Sequence, residues 1–324
     1  MKGRRFGAML LAGALVSATS AANAEELSIR LDFSPWGVHA AMHLAQEKGW
    51  FEEEGLTVDI QDGRGSGNTL QLVNAGQVDV GQVQLGLLGG IRAEGATTKS
   101  FAGFVRRTDL CVLVDEESDI ETIEDLEAKT IVVFAASPWA PYIDPFLEAG
   151  GQDRDSVEVM FVDPAALWGT YTSGRADGLM STYSSALPVA AGPRPSRCIL
   201  SSEAGLEFPS YGLVATEDTI DSRGEALAKL IRVQQRAWEH LKDNIEDGVE
   251  AMLSQRADAN LDPDVTREQI RMTIEFMDTP ATEGSPIGWQ AREDWEAALE
   301  SLEQAGVIEP GWNPEDYYTN DYVE

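Results

Sequence analysis

Leu27-Ser28-Ile29-Arg30-Leu31-Asp32-Phe33, then His39 to Lys48, then Leu56-Thr57-Val58-Asp59-Ile60-Gln61: this opening decides the fold. The first run alternates apolar and polar residues with the period of two that a strand requires. His39 to Lys48 carries apolar residues at helical spacing and is stopped by Gly49, a residue that leaves helices easily because it accepts a left-handed backbone. Leu56 to Gln61 is a second strand. The turn Asp62-Gly63-Arg64-Gly65-Ser66-Gly67 leads into a helix from Asn68 to Asn74, stopped by Gly76, and Val78 to Val83 is a third strand. Strands separated by helices imply a parallel sheet, because parallel neighbours need a long crossover and cannot be joined by a tight turn. Further strands follow at Phe101 to Val105 and Leu110 to Val114.

The pattern then restarts. Thr122 to Ala128 is expected as a short helix with a weak capping box of Thr122 and Asp125. Thr130 to Phe134, Val157 to Val162, Ala176 to Met180 and Cys198 to Ser201 are strands, with a loop and helix over Ser137 to Gly150 and a helix over Pro164 to Ser173. After a strand at Tyr211 to Ala215 the chain turns helical: Glu225 to Asp243, Ile245 to Arg256, Thr266 to Met277 and Trp289 to Ala305 are all amphipathic. Two similar passes with no linker between them imply two α/β lobes, each a mainly parallel sheet flanked by helices. Two chain crossings lying close together would form a hinge.

The segment Leu31-Asp32-Phe33-Ser34-Pro35-Trp36-Gly37-Val38-His39, with Ala45, Gly49-Trp50-Phe51 and Glu54-Gly55-Leu56-Thr57-Val58, resembles the opening of the thiamine-pyrimidine-precursor-like solute-binding proteins, relatives of the sulfonate and nitrate receptors. Ala75-Gly76-Gln77-Val78-Asp79-Val80-Gly81 and the tail Pro314 to Tyr322 are similar to the same family, so the resemblance spans essentially the whole chain after residue 24. It implies a type II periplasmic binding protein that closes on a solute and presents it to the permease of an ABC importer. It implies one lobe built from both chain ends (25–107 plus 211–324) and a second from 108–210, with crossings near Arg106–Thr108 and Phe208–Tyr211.

The N-terminus agrees with export. Lys2, Arg4 and Arg5 precede an apolar run from Phe6 to Val16, and small residues end in Ala22-Asn23-Ala24. This is the order of a secretory signal peptide, here residues 1–24 with cleavage after Ala24, and the apolar run is short of the roughly 20 residues that span a bilayer. No cysteine stands at the cleavage point, so the expected location is the free periplasm. The formal net charge of −31 argues against nucleic acid and anionic membranes as partners. A monomer is expected. Cys111 and Cys198 both lie in runs that look like buried strands; two free buried cysteines is the plainer reading, and a bond stays open because the compartment is oxidising and such strands can be neighbours.

In parallel α/β sheets, ligands sit at the carboxyl ends of the strands. That rule picks the candidate contacts. Ser34, Trp36 and His39 follow the first strand, Trp36 offering a flat apolar face and His39 opening a helix. Arg64, Ser66 and Asn68 lie in the turn after the second strand, where an arginine suits an anionic group. Gln82 and Gln84 end the third strand, and Arg106 stands at the hinge. Ser137, Trp139, Thr182 and Tyr183 supply the equivalent second-lobe loops, and Tyr211 the return crossing. Trp36 and Trp139 are expected to sandwich a ring from opposite lobes. The solute is expected to be small and aromatic or heterocyclic, with Arg64 and Arg106 tilting it towards an anion.

Catalytic residues, a metal and a cofactor are not expected. His39 and His43 share a helical face, but Ala40 stands where H-E-x-x-H needs its glutamate. The pyrimidine-forming enzymes that resemble these receptors use a lysine, a histidine and a cysteine-rich stretch; Gly81-Gln82-Val83-Gln84 holds neither of the first two and the cluster is absent. Two alternatives stay open: thiamine-pyrimidine-precursor binding or synthesis, and solute sensing for a receptor kinase.

Overall fold

The structure is a computed structural model that describes residues 24–324. Nearly all of the expected signal peptide lies outside the described residues. No helix among the described residues is long and apolar enough to cross a membrane.

Ten strands form two five-stranded sheets: β1 (Glu25–Arg30), β2 (Leu56–Gln61), β3 (Val80–Gln84), β4 (Thr98–Gly103), β5 (Leu110–Asp115), β6 (Thr130–Val133), β7 (Glu158–Phe161), β8 (Gly178–Thr182), β9 (Ser196–Leu200) and β10 (Tyr211–Thr216). The strand orders are β2-β1-β3-β10-β4 and β7-β6-β8-β5-β9. The pairings put four strands of each sheet in one direction and set a single strand, β10 or β5, against them. Those two strands are the ones on which the chain enters a lobe from the other. β4 and β9 run out at the carboxyl edge of their own sheet, so each crossing delivers the chain to the facing edge of the next sheet. The only way onward is against the parallel set. The protein is thus a two-lobed α/β molecule whose lobes meet along the carboxyl ends of their strands.

The two crossings pair with each other. Phe104 and Val105 both donate their N–H to the carbonyl of Tyr211 at 2.9 Å, and Ser210 N–H donates to Val105 O at 2.9 Å. Behind them the C-terminal helices pack on the first sheet. Glu217–Asp243 buries Leu227, Leu230, Ile231 and Trp238 against Leu27, Ile29, Phe101 and Leu213. Pro263–Glu275 begins on proline after Asp262, whose carboxylate caps the N–H groups of Asp264 and Val265. Arg292–Gln304 covers the other face of that sheet with Trp295, Leu299 and Leu302.

Two local expectations are corrected. The helix expected over Thr122–Ala128 is only a 3-10 turn, Glu124–Leu126, because the Asp125 carboxylate accepts from the N–H groups of Glu121 and Thr122 and closes a turn instead. Cys111 and Cys198 are not free. They lie on the neighbouring strands β5 and β9 with Cα atoms 5.6 Å apart, inside the reach of a disulfide, and are bonded.

Candidate functional site

Where the strand ends of the two lobes face each other there is a narrow slot of about 50 Å³. Asp32, Phe33, Trp36, Gly65, Ser66 and Tyr211 line it from the first lobe. Phe134, Ser137, Pro138, Leu167, Trp168, Ser181, Thr182 and Ser185 line it from the second. Small-molecule pockets usually measure roughly several hundred cubic ångströms, well above this volume. A wider groove, about 370 Å³, lies at the crossings beside Arg107, Phe208 and Asp294, but it shares no lining residue with the slot and takes nothing from the ends of the parallel strands in the first lobe.

Asp32 is the polar centre of the slot. Its Oδ1 meets His39 Nε2 at 2.6 Å and accepts from Trp36 Nε1 at 3.4 Å. The Tyr211 hydroxyl lies beside Asp32, and burial, reinforced by the carboxylates of Asp32 and Asp109, pushes its pKa well above the ordinary phenol value. The backbone N–H of Trp36 donates to His39 Nδ1 at 3.2 Å. That nitrogen is therefore the bare acceptor, Nε2 carries the proton, and a neutral imidazole donates to Asp32. The carboxylate takes hydrogen bonds from His39 and Trp36, with about four acceptor positions available to it.

Aromatic faces close the slot from both sides. Phe33 of the first lobe and Phe134 of the second lie with ring centroids 5.5 Å apart, and Trp36 makes an edge contact with Tyr211 at 5.4 Å. The lobes come this close because Gly65 has no side chain. Its φ is +115°, and a Cβ there would stand 2.5 Å from Ala136 O and 2.9 Å from Phe134 Cε2. Gln269 bridges the lobes beside it, accepting from Gly37 N–H at 3.0 Å and donating to Ser185 O at 2.8 Å.

Of the residues expected at the site, Trp36, Ser66, Ser137, Thr182 and Tyr211 line the slot. The structure places the others elsewhere. His39 is fully buried behind Asp32. Gln82 is buried and donates to Val38 O at 3.0 Å. Gln84 is buried, its amide 2.8 Å from Ser210 Oγ in a cluster around Asp109. Burial pushes the Asp109 carboxyl up, against hydrogen bonds from Ser184 and Ser210. Arg106 turns away from the slot to donate to the carbonyls of Met277, Pro286 and Trp289 and to pair with Asp278. Ser34 and Arg64 are exposed, and Asn68 is half-buried; none of the three lines the slot. Tyr183 packs on Phe276, with ring centroids 5.5 Å apart.

Trp139 does not face Trp36. It is wholly buried, edge-on to Phe146 at 4.9 Å, and its Nε1 donates to Ser181 O at 2.7 Å. The sandwich across the lobes is made by Phe33 and Phe134, with Trp168 beside them. Phe33 and Phe134 read in the sequence as the last residues of strands, hence as core. The same strand-end rule that chose Trp36 would have chosen them had each strand been ended one to three residues earlier. His39 and His43 use their ring nitrogens separately, His43 Nδ1 meeting Gln255 Oε1 at 3.1 Å. Among the described residues no three His, Cys, Asp or Glu side chains are grouped to hold a metal.

The sequence profile of the family described as NMT1/THI5 like matches residues 36–247. The formylaminopyrimidine-binding protein of Halalkalibacterium halodurans is 26% identical over 301 residues, which is 91% of this chain and 90% of that protein. A solved structure from Bordetella bronchiseptica RB50 superposes with a TM-score of 0.73 at 21% identity, covering 92% of this chain and 95% of the other. The alkanesulfonate-binding protein from Xanthomonas axonopodis pv. citri bound to MOPS superposes with a TM-score of 0.68 at 15% identity, covering 89% and 96%. At these identities the two structures establish the shared fold.

Proposed function

We propose that this chain, which belongs to the NMT1/THI5 like family, is the exported solute-binding protein of an ABC-type importer. The observation that carries the reading is the slot itself: two lobes meet at their strand ends, bring Phe33 and Phe134 together, and hold Asp32 between aromatic faces. Such a slot takes a flat ring. Its hydrogen-bonding partners are the Asp32 carboxylate, which accepts, and the hydroxyls of Ser137, Thr182 and Ser185, which do both. A small nitrogen heterocycle bearing N–H groups satisfies that set, and the Halalkalibacterium halodurans relative is named for such a solute.

The lobes run over 25–107 plus 211–324 and over 108–210, and the two paired crossings between them are the hinge. Ring entry needs the open form. Closure brings Phe134 and Trp168 onto a ring already seated on Trp36 and Asp32, and hands the permease a compact closed molecule. The Cys111–Cys198 bond supports an oxidising compartment, in line with the expected signal peptide and a periplasmic location.

The test is calorimetric titration of the mature chain with formylaminopyrimidine and related aminopyrimidines. Saturable binding that raises the melting temperature and is lost in Trp168→Ala is expected; a ligand at about 100 times its Kd adds roughly 2.7 kcal/mol. Binding undiminished in Trp168→Ala, or no binding of any pyrimidine or other flat heterocycle, would sink the reading.

A further inference from the structure

The geometry points to a slot that selects its solute for positive charge: the ring is held as a cation, an amidinium-type edge donating N–H to Asp32. This rests on the reading of the slot as the solute site and names the charge class that site takes. It reverses the tilt towards an anion, which depended on Arg64 and Arg106.

Asp32 is the only Asp, Glu, Lys, Arg or His among the residues that line the slot. The imidazole facing it, His39, is the neutral tautomer, because Trp36 N–H occupies Nδ1. With the imidazole in that tautomer, the pair presents a carboxylate and no side-chain cation to the slot. Arg64 is exposed outside the slot, and the Arg106 guanidinium is spent on three carbonyls and Asp278. A second acid, Asp109, lies fully buried near Tyr211, bonded to Ser184 and Ser210 at 2.6 and 2.7 Å.

The opposing field is weaker. Two helices, Ser66–Asn74 and Tyr183–Ala190, begin at the slot. Each brings roughly half a positive charge, falling off within its first turn. The Gly65 N–H there is already committed to Asp32 O at 2.7 Å, and Ser66 Oγ accepts from Gln84 N–H at 3.1 Å. What remains at these helix ends suits a neutral carbonyl oxygen on the solute. An anion would have to lie against a buried carboxylate with no side-chain cation to meet it. A cation gains a charge-assisted hydrogen bond to Asp32, roughly twice as strong as a neutral one. It also lies against the faces of Phe33, Trp36, Phe134 and Trp168, whose quadrupoles attract positive charge.

For a base that titrates near neutrality, this means that it binds with its proton on. The proton comes from solvent and bonds to the ring nitrogen, and no covalent bond to the protein forms or breaks. Above the pKa of the base, the apparent Kd rises about tenfold per pH unit, because the bound species thins out by that factor.

Three flat isosteres that differ in charge test this at neutral pH: benzamidinium, benzamide and benzoate, titrated into the mature wild-type chain. The expected order is benzamidinium tightest by about tenfold or more over benzamide, with benzoate weakest. Asp32→Asn is expected to collapse the gap between benzamidinium and benzamide. With 4-aminopyrimidine as probe, heats measured in buffers of different ionisation enthalpy should report proton uptake. Benzoate or benzamide binding as tightly as benzamidinium overturns the charge assignment and leaves the slot as the solute site. No binding of any of the three, nor of 4-aminopyrimidine, takes the slot reading down with it. The wild-type ranking stands as a test even if Asp32→Asn folds poorly.

Discussion

His39 Nε2 lies 2.6 Å from Asp32 Oδ1, with the imidazole wholly buried and the carboxylate at the wall of the interlobe slot. In the proposed solute site the histidine stands behind the acid and aims it. Removing it leaves a buried carboxylate short of one donor, at about 1–3 kcal/mol. His39→Ala should lower the melting temperature and weaken solute binding together. Calorimetry and a thermal melt on the same sample check this, and weakened binding with an unchanged melt would contradict it.

The two tryptophans of the second lobe should behave oppositely. Trp168 is half-buried at the slot, whereas Trp139 is wholly buried in the lobe core. Trp139→Ala opens a cavity at a cost of about 3–5 kcal/mol and should lower stability first. Trp168→Ala should cut affinity with a small change in the melt. Equal effects of the two on binding would contradict this placement.

Gly65→Ala should impair closure. The new Cβ meets Ala136 O and Phe134 across the lobe boundary, and the backbone there has φ of +115°. Solution scattering in saturating ligand should report a larger radius of gyration than for wild type, with weaker binding. A fully closed variant would show that the lobes give way elsewhere.

Below neutrality the fold should lose stability through His43. Burial lowers its pKa from 6.5 to about 4. Between those values the unfolded chain binds more protons than the folded one, so stability is full above about pH 6.5 and drains as pH falls towards 4. The whole effect is on the order of 3 kcal/mol. His43→Gln should flatten this limb of a stability–pH curve; an unchanged slope would assign the acid loss to other groups.

Reduction should weaken the second lobe. Cys111 and Cys198 are 87 residues apart in sequence, and such a bond contributes typically about 2–4 kcal/mol by restricting the unfolded chain. Denaturant melts with and without reductant should differ by that order in wild type and not in Cys111→Ser/Cys198→Ser.

The alternation from Leu27 to Phe33, the helix ended by Gly49 and the restart at Thr130 were enough to read two α/β lobes, because those signals are local. Period, cap and turn chemistry sit within a few residues of each other. The strand-end rule likewise reached Trp36, Ser66, Ser137, Thr182 and Tyr211. It could not separate Trp139 from Trp168, or keep Gln84 and Arg106 out of the slot. Each of those choices depends on contacts made with residues far along the chain: Trp139 with Ser181, Gln84 with Ser210, Arg106 with Met277 and Trp289.

By itself, then, the sequence determined the layers, the mainly parallel order of each pass and the edge at which the candidate slot lies. The tertiary structure alone decided which side chains reach that edge and what charge they present. An arginine beside a glycine turn reads as an anion clamp until the fold shows that it faces solvent. An aspartate between two apolar strand residues reads as pattern until His39, Trp36 and Tyr211 converge on it. Charge in a cleft depends on which groups are desolvated and which are paired off, and pairing at long range leaves no mark in local sequence.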